Sequence, residues 1–218
     1  MTSIWDITVL TVSLALVATM VVLPPSVLLA WVLARRDFVG KALVEALVSL
    51  PLVMPPVATG VILLYLVGRR GPLGQMLAAA GIEVLFTRKA VVLAMAVMSL
   101  PLVVRTARAG FEQVSTRFED IAATLGAGPA RIFLTISLPL AWPGVLAGAV
   151  LGFSRAVGEF GATVMVAGAL PGSTRTLAVS IYTFTETGQD REAAVLIAVS
   201  VTIAFATMWA ANRIGRTR

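Results

Sequence analysis

Residues 120–139 read DIAATLGAGPARIFLTISLP, which has the pattern of a small soluble helical hairpin inside a very apolar chain. Four apolar residues recur at the spacing i, i+3, i+4 and i+7: Phe118, Ile121, Ala122 and Leu125. This spacing predicts a short amphipathic helix. Thr116 and Glu119 have the spacing of a capping box, which predicts that the helix begins there.

A tight turn and a second helix are predicted to follow. Gly126 and Gly128 offer the left-handed conformation that ends many helices, and Pro129 suits the first turn of a second helix running to about Ser137. Pro139 then marks the entry to the next apolar segment. On a membrane protein, such a hairpin either packs at the lipid interface or docks on a partner, and the pattern alone leaves both readings open.

The segments around the hairpin belong in a lipid bilayer. The chain has 218 residues, 58% hydrophobic and 13% charged, with a mean hydropathy of +0.95. Long uncharged runs reach the roughly 20 residues that a helix needs to cross hydrocarbon. We therefore predict an all-α integral membrane protein that forms a single domain over residues 1–218. Its five predicted spans lie at about 7–34, 45–68, 88–110, 139–168 and 191–213.

The third span has the shortest uncharged run, residues 90–104, and Arg105 and Arg108 at its end are able to snorkel. The first span is read as retained, because MTSIWD before it has no Lys or Arg and the apolar run is too long for a signal peptide. The loop over residues 68–89 reads as a turn and a short surface helix. The loop over residues 171–192 opens with PGSTRT.

The distribution of Lys and Arg indicates an orientation. With the N-terminus outside, ten of these residues fall in inner loops and six in outer loops. The excess predicts an external N-terminus, a cytoplasmic C-terminus and a hairpin, at about 115–138, that faces the cytoplasm. The balance is modest, and the RR and RK pairs at residues 69–70 and 88–89 oppose it.

Residue types missing from the sequence limit its chemistry. There is no Cys and no His, so disulfides, thiolate or imidazole metal sites and His-dependent triads are excluded. Lys41 and Lys89 are each followed by Ala, so no Walker A motif exists. We predict a chain that is not an enzyme, has no catalytic residues or metal site, and binds no cofactor itself.

Prolines inside the spans remove backbone donors and bend or break helices. They stand at positions 24, 25, 51, 55, 56, 139 and 143. A single proline most often produces only a kink. The cluster LPLVMPP at residues 50–56 is harder to explain in that way.

The spacing within the hairpin resembles the EAA signature of ABC importer permeases. That signature is Glu-Ala-Ala, three residues, Gly, nine residues, then Ile-x-Leu-Pro. This chain matches it at five positions: Ala122, Gly126, Ile136, Leu138 and Pro139. Asp120 and Ile121 replace the first Glu and Ala, and Glu119 stands one place earlier.

The resemblance implies that the hairpin forms coupling helices in the groove of a separate ATPase subunit. Ile121 and Leu125 are the expected apolar anchors, with Glu119 and Asp120 at the rim. The shorter Asp side chain puts the family's salt bridge at that position in doubt. The implied coupling residues are Glu119, Asp120, Ile121, Ala122, Leu125, Gly126 and Ala127.

Four further segments extend the resemblance over nearly the whole chain, to the permease subunit of molybdate ABC importers of the five-span, type I form. They are GKALVEALVSLPLVMPPVATG at 40–60, VGRRGPLG at 67–74, MSLPLVVRTARAGFEQV at 98–114 and SRAVGEFGATV at 154–164. The GEFGA element alone is weaker, because sulfate permeases are similar there.

The resemblance also implies the partners. A second copy of the chain completes the pore, a cytoplasmic ATPase dimer binds ATP and Mg, and an extracytoplasmic binding protein delivers the oxyanion. The expected location is the bacterial inner membrane as a multi-pass protein in the lipid bilayer. Tungstate and sulfate or thiosulfate remain alternative substrates.

Candidate pathway and gate residues include polar side chains and helix-breaking prolines within the spans. Arg155 and Glu159 are four residues apart, so on one helical face they either form part of a gate or satisfy each other at a helix interface. Hydroxyl groups suit a doubly charged oxyanion better than carboxylates do, although such hydroxyls often bond to their own helix. The full set is Pro55, Pro56, Thr59, Ser99, Ser154, Arg155, Glu159 and Phe160, with Thr163 as a further hydroxyl.

Two functions of other classes are considered. An autonomous secondary anion transporter would leave the hairpin unexplained. A small intramembrane enzyme lacks His, Cys and paired intramembrane carboxylates. The net charge of +6 is not read as nucleic-acid binding, because the charges lie at the membrane edges.

Overall fold

A computed structural model of the chain describes residues 3–215, and the regular structure in this part is helical. The helices are α1 (Ile4–Arg35), α2 (Lys41–Val53), α3 (Pro56–Val67), α4 (Pro72–Ala79), α5 (Arg88–Glu112), α6 (Thr116–Thr124), α7 (Pro129–Ile132), α8 (Leu138–Val157), α9 (Gly161–Ala167), α10 (Leu177–Glu186) and α11 (Asp190–Gly215). A π-helical turn, Phe133–Ser137, joins α7 to α8.

Four helical segments of the described chain are long and apolar enough to cross a membrane, and a bent pair makes a fifth candidate. They are Ile4–Arg35, Arg88–Glu112, Pro129–Val157 and Asp190–Arg213, with the pair Lys41–Val53 and Pro56–Val67. The assignment rests on their length and apolar side chains. A helix of this kind is stable in lipid because its backbone N–H and C=O groups bond to each other. The all-helical class with four to five spans is therefore as expected.

Helix α5 lies at the centre of the molecule, between α1 on one side and α8 on the other. Small residues let the helices approach closely, as is common in membranes. A Cβ added to Gly144 of α8 would lie 2.6 Å from the Cα of Gly110 in α5. Large side chains such as Phe111, Met95 and Met98 fill the space on either side and are almost fully buried.

The proline cluster breaks the second apolar segment. Helices α2 and α3 meet at an angle of 114° across Met54 and Pro55. The other prolines do not end their helices, since α1 continues through Pro24 and Pro25 and α8 through Pro143. At the break, Pro55 has extended backbone angles and Pro56 is the first residue of α3, where a missing N–H leaves no helical hydrogen bond unmade.

The fourth segment differs from the expected continuous span over 139–168. Helix α8 ends at Val157, and the short helix α9 begins only at Gly161. At the break, a Cβ added to Gly161 would lie 2.9 Å from the Pro56 side chain. The two helix breaks therefore pack against each other, with α3 alongside α9.

The remaining connections contain short helices. The surface helix expected within 68–89 is present as α4. The segment 171–192, described above only as a loop, contains α10, which packs on α11. Arg88 donates to the carbonyl oxygen of Gly172 at 3.1 Å and ties these two connections together.

Candidate coupling surface and pathway

The first arm of the hairpin is α6, and the structure places its start one residue earlier than the capping-box spacing indicates. Ser115, with φ −63° and ψ 126°, is the N-cap, and its side chain makes no capping hydrogen bond. The capping-box prediction for Thr116 and Glu119 is therefore wrong. The capping box does not form because the Glu119 carboxylate bonds to Arg35 and Ser137 instead of to a backbone N–H at the helix start.

The turn between the arms has the conformation that the glycines predicted. Gly126 has φ +85°, which an L-residue adopts only with strain. Backbone bonds from Gly126 to the Ala123 oxygen and from Ala127 to the Ala122 oxygen, each 3.0 Å, close the end of α6. Gly128 in extended conformation then precedes Pro129 as the first residue of α7.

The second arm continues directly into the fourth span. Residues 129–157 form one helical segment through the π-turn, so Pro139 lies inside it and does not mark an entry from a separate helix. A π-turn accommodates one extra residue, and such turns are frequent at functional sites. A displacement of this arm is consequently a displacement of the membrane helix itself.

An apolar face of the hairpin is open to the surroundings. No residue of α6 is buried, Ile121 is 48% exposed, and Leu125 is 82% exposed. Between the arms lies an open groove of about 480 Å³ with an almost wholly apolar lining. It is formed by Phe118, Ile121, Ala122, Leu125, Thr135, Ile136, Pro139 and Leu140.

Glu119 does not stand at the rim of this groove, as its expected role requires, but points into the protein. Its two carboxylate oxygens accept from the Arg35 Nε at 2.9 Å each, and Ser137 Oγ donates to Oε1 at 2.7 Å. A carboxylate with these partners is strongly held. Asp120, by contrast, is exposed, so it is the acidic residue of α6 that faces outward.

In the expected pathway region, Arg155 and Glu159 form an ion pair with 2.7 Å between Nη1 and Oε2. They do not share one helical face, because α8 ends between them at Val157. Glu159 is 1% exposed, and its Oε1 accepts the backbone N–H of Ala162 at 2.9 Å. The pair therefore closes the break between α8 and α9 by bonding one helix to the other.

The predicted hydroxyl residues have different environments. Ser99 donates to the oxygen of Ala96 at 3.1 Å in its own helix and is fully buried. Ser154 accepts from Thr207 of α11 at 3.1 Å. Thr59 and Thr163 are buried on α3 and α9, and neither hydroxyl has a partner within the described residues.

The remaining pathway candidates lie around the two helix breaks. Pro55 is exposed, and Pro56 is exposed on the side away from Gly161. The ring of Phe160 packs against that of Tyr182 of α10, with 5.2 Å between the ring centroids and the planes tilted by 47°. The structure thus brings Pro55, Pro56, Glu159 and Phe160 into one region, whereas Ser99 and Ser154 make contacts between other helices.

Sequence reasoning missed two partners of this site, Arg35 and Ser137. Arg35 was counted only as a loop charge, and Ser137 occupies the unspecified position of the Ile-x-Leu-Pro motif. The sequence offered one signal for Ser137: it is a polar residue that stands between the apolar residues Ile136 and Leu138. Within residues 3–215, no group of three or more acidic residues is placed to hold a metal ion.

These features define the class of the protein: a helical membrane chain with a broken second span, a broken fourth segment and an exposed hairpin between spans three and four. Residues 26–215 match the family described as the binding-protein-dependent transport system inner membrane component. The chain belongs to this family.

Several curated relatives are permeases of molybdenum transport systems. The chain is 43% identical over 220 aligned positions to the molybdenum transport system permease protein ModB of Escherichia coli strain K12, covering 98% of this chain and 96% of the relative. Its identity to ModB of Haemophilus influenzae is 41%, over 91% and 88% of the two chains. A probable sulfate transport permease of Anthoceros angustus is 36% identical, over 81% of this chain and 61% of the relative.

Solved transporters share the fold at low sequence identity. A bacterial alginate ABC transporter, in complex with an alginate-bound periplasmic protein, aligns with a TM-score of 0.73 at 16% identity, over 97% of this chain and 77% of that chain. The inward-facing MetNI methionine ABC transporter aligns with a TM-score of 0.64 at 19% identity, over 99% and 94%. The fold is therefore that of ABC importer permeases.

Proposed function

We propose that this chain is the membrane-spanning permease of an ATP-driven molybdate importer. The observation that carries the proposal is the open apolar groove of the hairpin, on a chain that is 43% identical to a relative named as a molybdenum permease. An exposed apolar hairpin either packs at the lipid interface or is covered by a soluble partner, and membership of a binding-protein-dependent transport family favours the partner. The lower similarity to a sulfate permease keeps sulfate as a second candidate.

The chain itself provides a passage and a docking surface. A cytoplasmic ATPase dimer would bind ATP and Mg and contact Ile121 and Leu125, while Asp120 would lie at the rim of that contact. The passage would be completed by a second copy of this chain. An extracytoplasmic binding protein would capture and deliver the oxyanion. The pore itself cannot bind the ion tightly, because it must also release it.

The docking surface requires the hairpin to face the cytoplasm. With the N-terminus outside, as the Lys and Arg distribution indicates, the hairpin and the C-terminus both lie inside and α4 lies outside. Because the chain has no cysteine, single introduced thiols give an unambiguous signal. In intact cells, Gln75→Cys should react with a membrane-impermeant maleimide, and Ala123→Cys should react only after the membrane is opened. The reverse pattern would contradict the orientation.

Substrate is tested by uptake of labelled molybdate into proteoliposomes that contain the chain, its ATPase and its binding protein. We expect ATP-dependent uptake that unlabelled tungstate reduces strongly and sulfate reduces weakly. Uptake blocked mainly by sulfate would move the substrate to sulfate. Uptake that persists without ATPase or ATP would instead favour an autonomous transporter and would end the proposal.

A further inference from the structure

We propose that Glu119 is a positioning residue that clamps the coupling hairpin to α1 and to the start of α8, so that movement of the ATPase reaches both membrane helices. The inference rests on the proposed function. It concerns contacts inside this chain rather than the surface that meets the partner.

One carboxylate joins three elements. Glu119 projects from α6, Arg35 is the last residue of α1, and Ser137 closes the π-turn before α8. The distances are 2.9 Å to Arg35 Nε and 2.7 Å to Ser137 Oγ. A second Arg35 nitrogen donates to the carbonyl oxygen of Val114 at 2.9 Å, just before α6 begins.

The clamp is shielded from water. The side chains of Arg35 and Glu119 are 9% and 15% exposed, and Ser137 is fully buried. A charge pair with this burial resists separation, because removal of one partner leaves the other charge desolvated. The exposed pairs Arg69–Glu83 and Arg108–Glu112 lack that shielding and are weak links.

A second contact to α1 lies one turn away from the first. The ring of Trp31 packs against that of Phe133, the first residue of the π-turn, with 5.1 Å between the ring centroids. Since residues 31 and 35 are neighbours on one face of α1, this face holds the π-turn through Phe133 and α6 through Glu119. On α6 itself the bond to α1 is made by the Glu119 carboxylate, while the Arg35 bond to the Val114 oxygen holds the residue two places before the helix.

This geometry gives a mechanical consequence. Displacement of α6 by a partner pulls the end of α1 through Arg35 and the start of α8 through Ser137. Without the carboxylate, α6 would still present its apolar face to the partner, but its own bond to α1 would be lost and only the Arg35 bond to the Val114 oxygen before the helix would remain. The clamp therefore separates docking, which needs the exposed face, from transmission, which needs Glu119.

The test uses the full importer in proteoliposomes and the variant Glu119→Gln, which keeps the side-chain shape and removes the charge. We expect normal assembly with the ATPase and a roughly tenfold fall in oxyanion imported per ATP hydrolysed, the scale of losing hydrogen bonds to a charged group. The control is Glu112→Gln, which neutralises an exposed pair and should leave this ratio unchanged. Values are taken per assembled complex, so a loss of folding alone does not alter them.

A charge exchange between positions 35 and 119 tests the clamp independently. Glu119→Arg should lose coupling, and the double variant Arg35→Glu with Glu119→Arg should recover a large part of it. Failure of the exchange to recover any coupling, or a Glu119→Gln ratio equal to the wild type, would overturn the inference. The proposed function is judged separately by ATP-dependent uptake through the wild-type chain, which does not depend on these ratios.

Discussion

Helices α5 and α6 are joined by a turn of three residues, yet they use their apolar side chains in opposite ways. In α5, residues such as Val91, Met95 and Phe111 are fully buried. In α6, no residue is buried, and Phe118 and Ile121 are about half exposed, with values of 54% and 48%. The same residue types therefore stabilise the fold in one helix and form a surface in the next.

The contrast separates apolar burial that stabilises the folded chain from apolar burial that occurs only when a partner binds. Side chains of α5 leave lipid or water when the chain folds, so their packing contributes to stability. Side chains of the hairpin remain exposed after folding, and their burial contributes only when a partner binds, at roughly 25 cal/mol per Å². Substitutions in the two regions should consequently separate stability from assembly.

The largest expected effect is a loss of folding stability at the contact of α5 with α8. In Gly144→Ala, the new Cβ would lie 2.6 Å from the Gly110 Cα, so the helices must move apart. Overpacking of this kind costs about 1–3 kcal/mol. We expect a lower melting temperature and a reduced yield of folded protein. Gly158→Ala, where nothing lies closer than 3.9 Å, is the matched control. Equal melting temperatures of the two variants would contradict the packing.

The next effect should appear in assembly and not in folding. Leu125→Asp places a charge on the most exposed apolar residue of the hairpin, and an interface anchor is commonly worth about 2 kcal/mol or more. We expect an unchanged melting temperature and at least about tenfold weaker binding of the ATPase. Leu73→Asp, on exposed α4, makes the same chemical change away from the hairpin and serves as the control. Retained ATPase binding would rule out this docking surface.

A smaller effect on assembly should come from the turn. Gly126 has φ +85°, and an added methyl group meets no atom within 4 Å, so Gly126→Ala costs only backbone strain of about 1–2 kcal/mol. We expect ATPase binding to weaken severalfold. Gly128→Ala, at φ −72° and equally open, should bind normally. Binding constants from titration of purified ATPase would distinguish the two, and equal values would argue against the turn geometry.

The smallest effect concerns a charge pair outside both regions. Lys41 donates to Asp37 at 2.8 Å, and this hydrogen bond with the positive charge lowers the pKa of the carboxyl group below its ordinary value. Because the folded pKa is lowered, the contribution to stability is present above the unfolded pKa and disappears as the pH falls through the folded value. Full exposure of Asp37 keeps that contribution slight.

Lys41→Met should return the pKa of Asp37 towards its ordinary value without changing the melting temperature at neutral pH. Labelling with carboxyl-¹³C aspartate measures this directly, because the chain has only four Asp residues, at 6, 37, 120 and 190. Lys89→Met, at the other lysine, is the control. An unshifted Asp37 titration in Lys41→Met would show that the pair does not form in solution.

Much of the architecture was readable from the sequence because each signal was local. Uncharged runs longer than the bilayer thickness indicated the spans, and the proline cluster at 50–56 indicated a break. Spacing within 116–139 indicated the hairpin and its glycine turn. The length of the second arm was not readable, since continuous hydrogen bonding through Ser137 and Pro139 depends on the π-turn.

The candidate site was predictable in type and less so in arrangement. Glu119, Asp120 and Leu125 were selected together, but their spacing did not show that Glu119 turns inward while Asp120 and Leu125 face outward. Arg155 and Glu159 were paired on the assumption of a continuous helix. The pair forms across a helix end instead, because Glu159 bonds to the backbone of the following helix.

The sequence by itself determined that this protein is a helical membrane chain with one soluble-like hairpin, since hydropathy and helical periodicity depend only on neighbouring residues. The tertiary structure alone decided which charges meet. Arg35 and Glu119 are 84 positions apart, and only the packing of α1 beside the hairpin brings guanidinium and carboxylate together. Such a contact has no local pattern, because its energy arises from burial that the folded helices create.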